Sequence, residues 1–500
     1  MDSKEFPLDA LPAACASMVR GEGARLAAAL ALDERRRDGG FSLRYVFSVP
    51  AKRSYVELRG RIPAGAAAFP SSAALVPAAH AFEREIREFF GLDPQGHPDP
   101  RNLLLHEDWP EAVHPLRKEF SWNAKTRREA GREFPFLKVT GEGVFEIPVG
   151  PVHAGVIEPG HFRFSVAGEP VVNLEVRLGY VHRGLEKLFE GRLALAAAAL
   201  AERISGDNSI AHALAYCRAV EDLAGRTPPP RAQALRAILL ELERLYNHAG
   251  DVAGIAADTG FVFGGAQMLI LRERLLRENE RLSGRRLLRG WLEPGGLARD
   301  AAPGSLETLA AALESCEADY REIEKLILGA DSLMDRVVGA GVLDRRVAVD
   351  LGGVGPAARA SGVDGDLRRD HPVGLEAELG FQPALRREGD VRARMLVRME
   401  EIAESFRVLR ALQARMPDGP WTVPINGVGP GEGVGWAESS RGEVLHWLRA
   451  GPDGTIERLK IKDPSFSNWP LVPWAVQGDI VPDFPLINKS FGLSYAGHDR

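Results

Sequence analysis

A chain of 500 residues is too long for one ordinary hydrophobic core, so two or three domains are expected. Its 45% hydrophobic and 26% charged residues are those of a folded globular protein, and a formal net charge of −6 removes any electrostatic case for nucleic acid or anionic lipid. The three cysteines, Cys15, Cys217 and Cys316, stand far apart with no C-x-x-C pair, which excludes a self-contained structural zinc or iron–sulfur cluster and argues against disulfides.

The opening MDSKEFPLDALPAAC lacks the charged-then-apolar order of a signal peptide, and the longest apolar run near the middle, LALAAAALA (193–201), is too short to cross a bilayer. A cytoplasmic chain is expected, reaching a membrane only through partners. FSLRYVFSVP (41–50) and SYVELRGRIP (54–63) alternate as half-buried strands do, and SSAALVPAAHAFEREIREFFG (71–91) reads as a helix ended by Gly91. A Pro-rich loop (92–120) follows. The expected fold class is α+β: a small α+β domain over 1–120, a charged linker over 121–143, and a large, mainly helical bundle over 144–500 with β segments at both ends. In the last part, 144–179 predicts two hairpins. LALAAAALAER, SIAHALAYCRAVEDLAG, 231–258, 303–329 and 391–416 predict helices, and GEVLHWLRAGPDGTIERLKIKDPSF alternates again. GEGVGW (431–436) resembles a phosphate loop but lacks the Lys-Ser/Thr that would follow, and no G-x-G-x-x-G stands in a βαβ context, so no nucleotide or NAD site is expected on this chain.

ERISGDNSIAHALAYCRAVE (202–221), read as a helix, puts Ser205, Asn208 and His212 on one face, with Asp207 turned about 160° from Ser205 and about 100° from Asn208. Ser205 to Ser209 also reads as a helix start, since Ser, Asp and Asn are good N-caps.

Several stretches carry a family resemblance. FEREIREFFGLDPQGHPDPRNLLLHEDWPEAVHPLRKEF (82–120) resembles the 30-kDa subunit of respiratory complex I. IPVGPVHAGVIEPGHFRFSVAGEP, LGYVHRGLEKLFEG, ERISGDNSIAHALAYCRAVE, LELERLYNHAGDVA, GWAESSRGEVLHWL and PDFPLINKSFGLSYAGHDR resemble its 49-kDa partner. They resemble more closely still the large subunit of membrane-bound, energy-converting nickel–iron hydrogenases, where the two parts are fused. The resemblance implies an oxidoreductase-complex subunit that docks an iron–sulfur small subunit and sits on antiporter-like membrane subunits at the inner face of the cell membrane, coupling electron transfer to ion translocation. NADH enters such complexes through a separate flavin subunit.

Hydrogenases of this kind hold nickel and iron with two C-x-x-C pairs. By the resemblance the first pair falls on Ser205 and Asn208 and the second on Ser494 and Gly497. Nickel there needs soft, charged sulfur, which hydroxyl, amide and glycine do not supply. No metal is therefore expected, and no cofactor on this chain itself. In the 49-kDa protein of complex I, a quinone headgroup occupies the equivalent place. Of its three site residues the histidine best matches His161, while the tyrosine falls on Gly206 and the aspartate on Ser205. Quinone is thus one candidate for a cavity lined by His161, Ser205, Asn208, His212, Arg441 and Ser494, with further contacts from His153, Asp207 and Glu438. Protonation of His161 near neutral pH would then link redox change to the membrane arm. The plainer readings are that His153 and His161 only bond within their turn, that His212 packs a helix, and that Glu438 and Arg441 form a surface ion pair. Two alternatives remain for the whole chain: a redox-inert scaffold of a translocating complex, and a working hydrogenase.

Overall fold

The computed structural model describes residues 1–500. In the first part, β1 (Asp2–Phe6), β2 (Arg25–Asp33), β3 (Phe41–Val49) and β4 (Ser54–Ile62) form one sheet in the order β1-β4-β3-β2, with β1 parallel to β4 and the other pairs antiparallel. Helices α1 (Leu11–Glu22) and α2 (His80–Phe90) pack on its apolar face, where Leu11, Cys15, Phe82 and Ile86 join Leu43, Tyr45, Phe47 and Leu58 in one core. The two predicted strands form, but they are not half-buried: every residue of β3 is buried. Their polar face packs against the C-terminal sheet instead of water. Trp447 Nε1–H donates to Glu57 Oε1 at 2.9 Å and Arg59 Nη2 to Glu432 Oε2 at 2.6 Å, while Ser48 Oγ bonds His371 Nε2, outside that sheet, at 2.8 Å. Helix α2 is shorter than the predicted 71–91. Pro77 disfavours helix in the residue before it, and the Ser72 backbone N–H is tied to Glu83 Oε1 at 2.8 Å. Gly91, at φ +66°, ends α2 as expected.

Residues 121–143 hold no regular element. β5 (Val144–Val149), β6 (His161–Ala167) and β7 (Val171–Arg177) then form a three-stranded antiparallel sheet, two hairpins sharing a strand. The bundle follows as α3 (Ser209–Ala224), α4 (Pro230–Asp258), α5 (Val262–Ser283), α6 (Ser305–Leu328) and α7 (Val391–Ala414). LALAAAALAER does not make the predicted long helix. It breaks into Ala194–Ala196 and Ala198–Ala201, because Leu193 bridges to Thr455 and the Ala194 N–H donates to Gly454 O.

The chain closes with β8 (Gly431–Ser439), β9 (Gly442–Ala450) and β10 (Ile456–Lys462), an antiparallel sheet, then α8 (Phe484–Phe491) and α9 (Tyr495–Asp499). The GEGVGW stretch is β8. Its glycines serve close packing: a Cβ at Gly433 would lie 2.2 Å from Ala219 O, and one at Gly435 would lie 2.0 Å from Ala215 O. Helix α3 therefore lies directly on the β8 backbone. Val434, Leu445 and Trp447 of this sheet belong to the first part's core, while Ala437, Val444, Leu448 and Ile461 belong to the bundle's.

Candidate functional site

The segment before α3 is a turn, not a helix, and α3 begins only at Ser209. No side chain of the SGDNS stretch caps it. The cap is Glu243, on α4, whose carboxylate accepts the Ile210 N–H at 2.7 Å and the Ala211 N–H at 3.0 Å. Released from capping and from helical geometry, Ser205 and Asp207 face each other. Ser205 Oγ lies 3.1 Å from Asp207 Oδ1 and 2.9 Å from Ser494 Oγ, which overturns the opposed orientation predicted for a helix.

Arg441 stands in the tight turn between β8 and β9 and grips Asp207 with both terminal nitrogens, at 3.0 and 2.6 Å, while its Nε–H donates to Gly492 O. Burial opposes ionisation of Asp207, but the Arg441 charge overrides it and holds the carboxyl below its usual range. Arg441 in turn is held cationic.

Ser494 caps α9 by accepting the Gly497 N–H at 2.9 Å. A Cβ on Gly497 would stand 2.5 Å from the Asp463 carboxylate, so that carboxylate fills the space a side chain would need. Asp463 accepts the Ser465 N–H at 2.7 Å and bonds His212 Nε2 at 2.9 Å, and His212 Nδ1 reaches His446 Nε2 at 3.1 Å. Burial raises the cost of the Asp463 charge, yet the His212 hydrogen bond brings the carboxyl down to about 2. Burial keeps His446 neutral. Asn208 is fully buried; its Oδ1 takes Ser440 Oγ–H at 3.3 Å and its Nδ2 has no partner.

Asp207, Arg441 and Ser494 line a cavity of about 470 Å³, joined by Glu158, Asp251, Asn488, Lys489 and Tyr495. Ser205, Asn208 and His212 stand behind that wall, buried completely. His161 is not brought here. It lines a second cavity of about 550 Å³ with His106, Phe134, Phe136, Arg163, Arg177 and Tyr180. The Gly150 carbonyl, 3.3 Å from His161 Nδ1, can only accept, so Nδ1 carries the proton and Nε2, buried and without a partner, is a bare lone pair. Burial lowers the His161 pKa, so the neutral form that cannot donate to a quinone carbonyl is the favoured one. His153 does bond within its turn, donating to Gly160 O at 2.8 Å. Glu438 also leaves the site: it and Arg441 are buried rather than at the surface, they do not pair, and Glu438 meets Arg359 at 3.0 Å on the far side of β8.

Glu158, Asp251, Asn488, Lys489 and Tyr495 were not among the residues expected from sequence. All five lie inside stretches that carry the resemblance, but nothing in their spacing marks them. At the four positions of the hydrogenase thiolates the structure offers two mutually bonded hydroxyls, a buried amide and a filled glycine. That donor set does not fit a nickel–iron centre. No group of three or more His, Cys, Asp or Glu side chains is arranged to hold a metal ion.

Comparison with known proteins agrees with this architecture. Family models match at residues 6–126 (respiratory-chain NADH dehydrogenase, 30 Kd subunit), 183–250 (nickel-dependent hydrogenase) and 258–428 (respiratory-chain NADH dehydrogenase, 49 Kd subunit). Formate hydrogenlyase subunit 5 of Escherichia coli is 33% identical over 96% of this chain and 85% of its own length. The C/D polypeptide of NADH-quinone oxidoreductase from Phocaeicola vulgatus is 30% identical over 76% of this chain and 77% of its own. Among solved structures, a chain of the membrane-bound sulfane sulfur reductase, an archaeal respiratory membrane complex, superposes with a TM-score of 0.68. It is 27% identical and covers 73% of this chain and 100% of its own length.

Proposed function

The chain belongs to the family of large subunits shared by hydrogenases and complex-I-like oxidoreductases, with a 30-kDa-like part fused to a 49-kDa-like part, and from that premise we propose that it works without a nickel–iron centre, passing electrons to a neutral carrier in the cavity beside Arg441. It is a subunit of an oxidoreductase complex. No helix is long and apolar enough to cross a membrane. In this reading an iron–sulfur subunit supplies the electrons, antiporter-like subunits form the membrane arm, and the chain meets the inner face of the membrane through them.

The observation that carries the reading is the Ser205–Ser494 hydrogen bond at 2.9 Å, which ties together two positions where thiolates would otherwise hold metal. A neutral carrier is favoured because the cations of the wall are already paired: Arg441 with Asp207, Lys489 with Asp258, and Arg398, just behind it, with Asp251. Among the lining residues no cation is left unpaired. Quinone has the right class of chemistry: two electrons from the partner's clusters and two protons from solvent give the hydroquinone. Ser494 and Tyr495 form part of the wall against which it would lie.

The purified complex tests this twice. Elemental analysis is expected to find iron without nickel, and stoichiometric nickel would overturn the metal-free reading. Reduced clusters are expected to be reoxidised by a short-chain quinone, more slowly in Arg441→Met. No reoxidation, with clusters intact, would favour the scaffold reading, for which the internally satisfied Ser205–Ser494 pair also speaks.

A further inference from the structure

The search for chemistry outside the cavity leads to the far side of β8. There three guanidinium groups, of Arg244, Arg359 and Arg368, meet four carboxyls, of Glu241, Asp366, Glu401 and Glu438, all with side chains at most 4% exposed. Arg359 reaches Glu438 at 3.0 Å and Asp366 at 3.2 Å, and it also bonds Glu401. Arg368 holds Asp366 at 2.8 Å and Glu241 at 3.2 Å. Arg244 holds Glu241 at 3.1 Å, and His248 donates to Glu401 at 2.8 Å. Four acids against three permanent cations leave one negative charge too many for a dry interior.

The geometry says which acid yields. Glu401, Asp366 and Glu241 each meet at least two guanidinium groups, whereas Glu438 meets only Arg359 and one backbone N–H, of Leu367, at 3.2 Å. Its neighbours across the strands do not help. Glu443 is its ladder partner, Lys462 donates to the Glu443 carbonyl, and Tyr55 bonds the Glu443 carboxylate at 3.3 Å.

The cluster is wired to the cavity through four consecutive residues. The carbonyls of Glu438 and Ser439 accept from Arg244 at 2.6 and 2.9 Å, Ser440 bonds Asn208, and Arg441 grips Asp207. We propose that Glu438 is a proton-loading residue, which takes a proton from solvent when negative charge appears at the Asp207–Arg441 wall and returns it when that charge leaves. The carboxyl oxygen gains the proton, the cluster becomes neutral, and no other reactant is needed. Burial opposes ionisation of all four acids. The guanidinium groups override it at Glu241, Asp366 and Glu401, while burial and the Asp366 charge push Glu438 up to about 7. This inference stands whichever carrier enters the cavity.

Glu438 and Arg441 stand three residues apart across the turn from β8 to β9, so at most about 10 Å of chain separates them. Across that distance, at an effective dielectric near 20, removing one charge moves a buried carboxyl by roughly one pH unit. The test is infrared titration of the full complex, following the protonated-carboxyl band lost in Glu438→Gln. That band is expected to titrate near neutral pH in the wild type, and Asp207→Asn is expected to lower its midpoint by about half to one unit. No titrating band distinguishing wild type from Glu438→Gln, or a midpoint unmoved by Asp207→Asn, overturns the proposal. Should Glu438→Gln fail to fold, Asp366→Asn replaces it: a neutral-pH carboxyl band displaced to lower pH supports the assignment, and an unmoved one refutes it.

Discussion

Alanine at Gly497 adds one methyl carbon that would stand 2.5 Å from the Asp463 carboxylate, at a residue whose backbone lies outside the left-handed region. Any cost is therefore steric and not conformational. The carboxylate is fully buried and cannot swing away without releasing the Ser465 N–H at 2.7 Å and His212 at 2.9 Å. Overpacking alone costs about 1–3 kcal/mol. If the carboxylate moves, the lost cap adds about 1 kcal/mol and the charged hydrogen bond about 1.5–3 kcal/mol. Together these set a cost between about 3 and 7 kcal/mol for Gly497→Ala. In an Asp463→Ala background the methyl enters vacated space, and its added cost should fall below about 1 kcal/mol, a coupling of at least about 2 kcal/mol. Denaturant unfolding followed by tryptophan fluorescence reads this out, because Trp469 Nε1 sits 3.4 Å from Ser494 O. A wild-type midpoint for Gly497→Ala, or additive single and double variants, would refute the claim that Asp463 occupies the side-chain space at 497.

Other perturbations have equally defined outcomes. Arg441→Met strands the Asp207 carboxylate, which is 35% exposed to the cavity, so thermal unfolding should show a discounted loss of about 1–2 kcal/mol, partly recovered by adding Asp207→Asn. Glu438 is raised from 4.5 to about 7, so the folded chain binds its proton more tightly than the unfolded chain; stability should fall as pH rises from about 4.5 to 7, and Glu438→Gln should flatten that slope in melting-temperature scans. Gly435→Ala places a carbon 2.0 Å from Ala215 O and must lift α3 off β8, a loss of more than about 3 kcal/mol, visible as protease sensitivity near residues 205–224. Cysteines restored at 205, 208, 494 and 497 should recruit no nickel unless Asp463 is also replaced, as elemental analysis would show.

Much of the fold was legible because long periodic segments announce themselves. The helices over 230–258, 305–328 and 391–414 and the strands over 41–49 and 54–62 lie within a residue or two of their apolar patterns. What alternation does not reveal is the destination of the polar face: Arg59 and Glu57 read as solvated but meet Glu432 and Trp447, nearly four hundred positions away. The same limit applies at the site. That sulfur is missing at 205, 208, 494 and 497 is plain from the letters. That Ser205 meets Ser494, that Asp463 fills the space beside Gly497, and that His161 lines a different cavity are facts of assembly. Propensity misled at LALAAAALA, where bridging to Thr455 outweighed alanine's helical preference; at GEGVGW, where no phosphate site is expected, the glycines mark close contact.

The sheet of β8, β9 and β10 is a party wall, with each of its surfaces built into a different interior. To swing the first part of the chain away from the second would tear Trp447 from Glu57 and Tyr55 from Trp436. The exposed stretch over 121–143 is thus a strap laid across a joint that is already locked, and a push delivered at the Arg441 turn must travel along β9 into both halves at once.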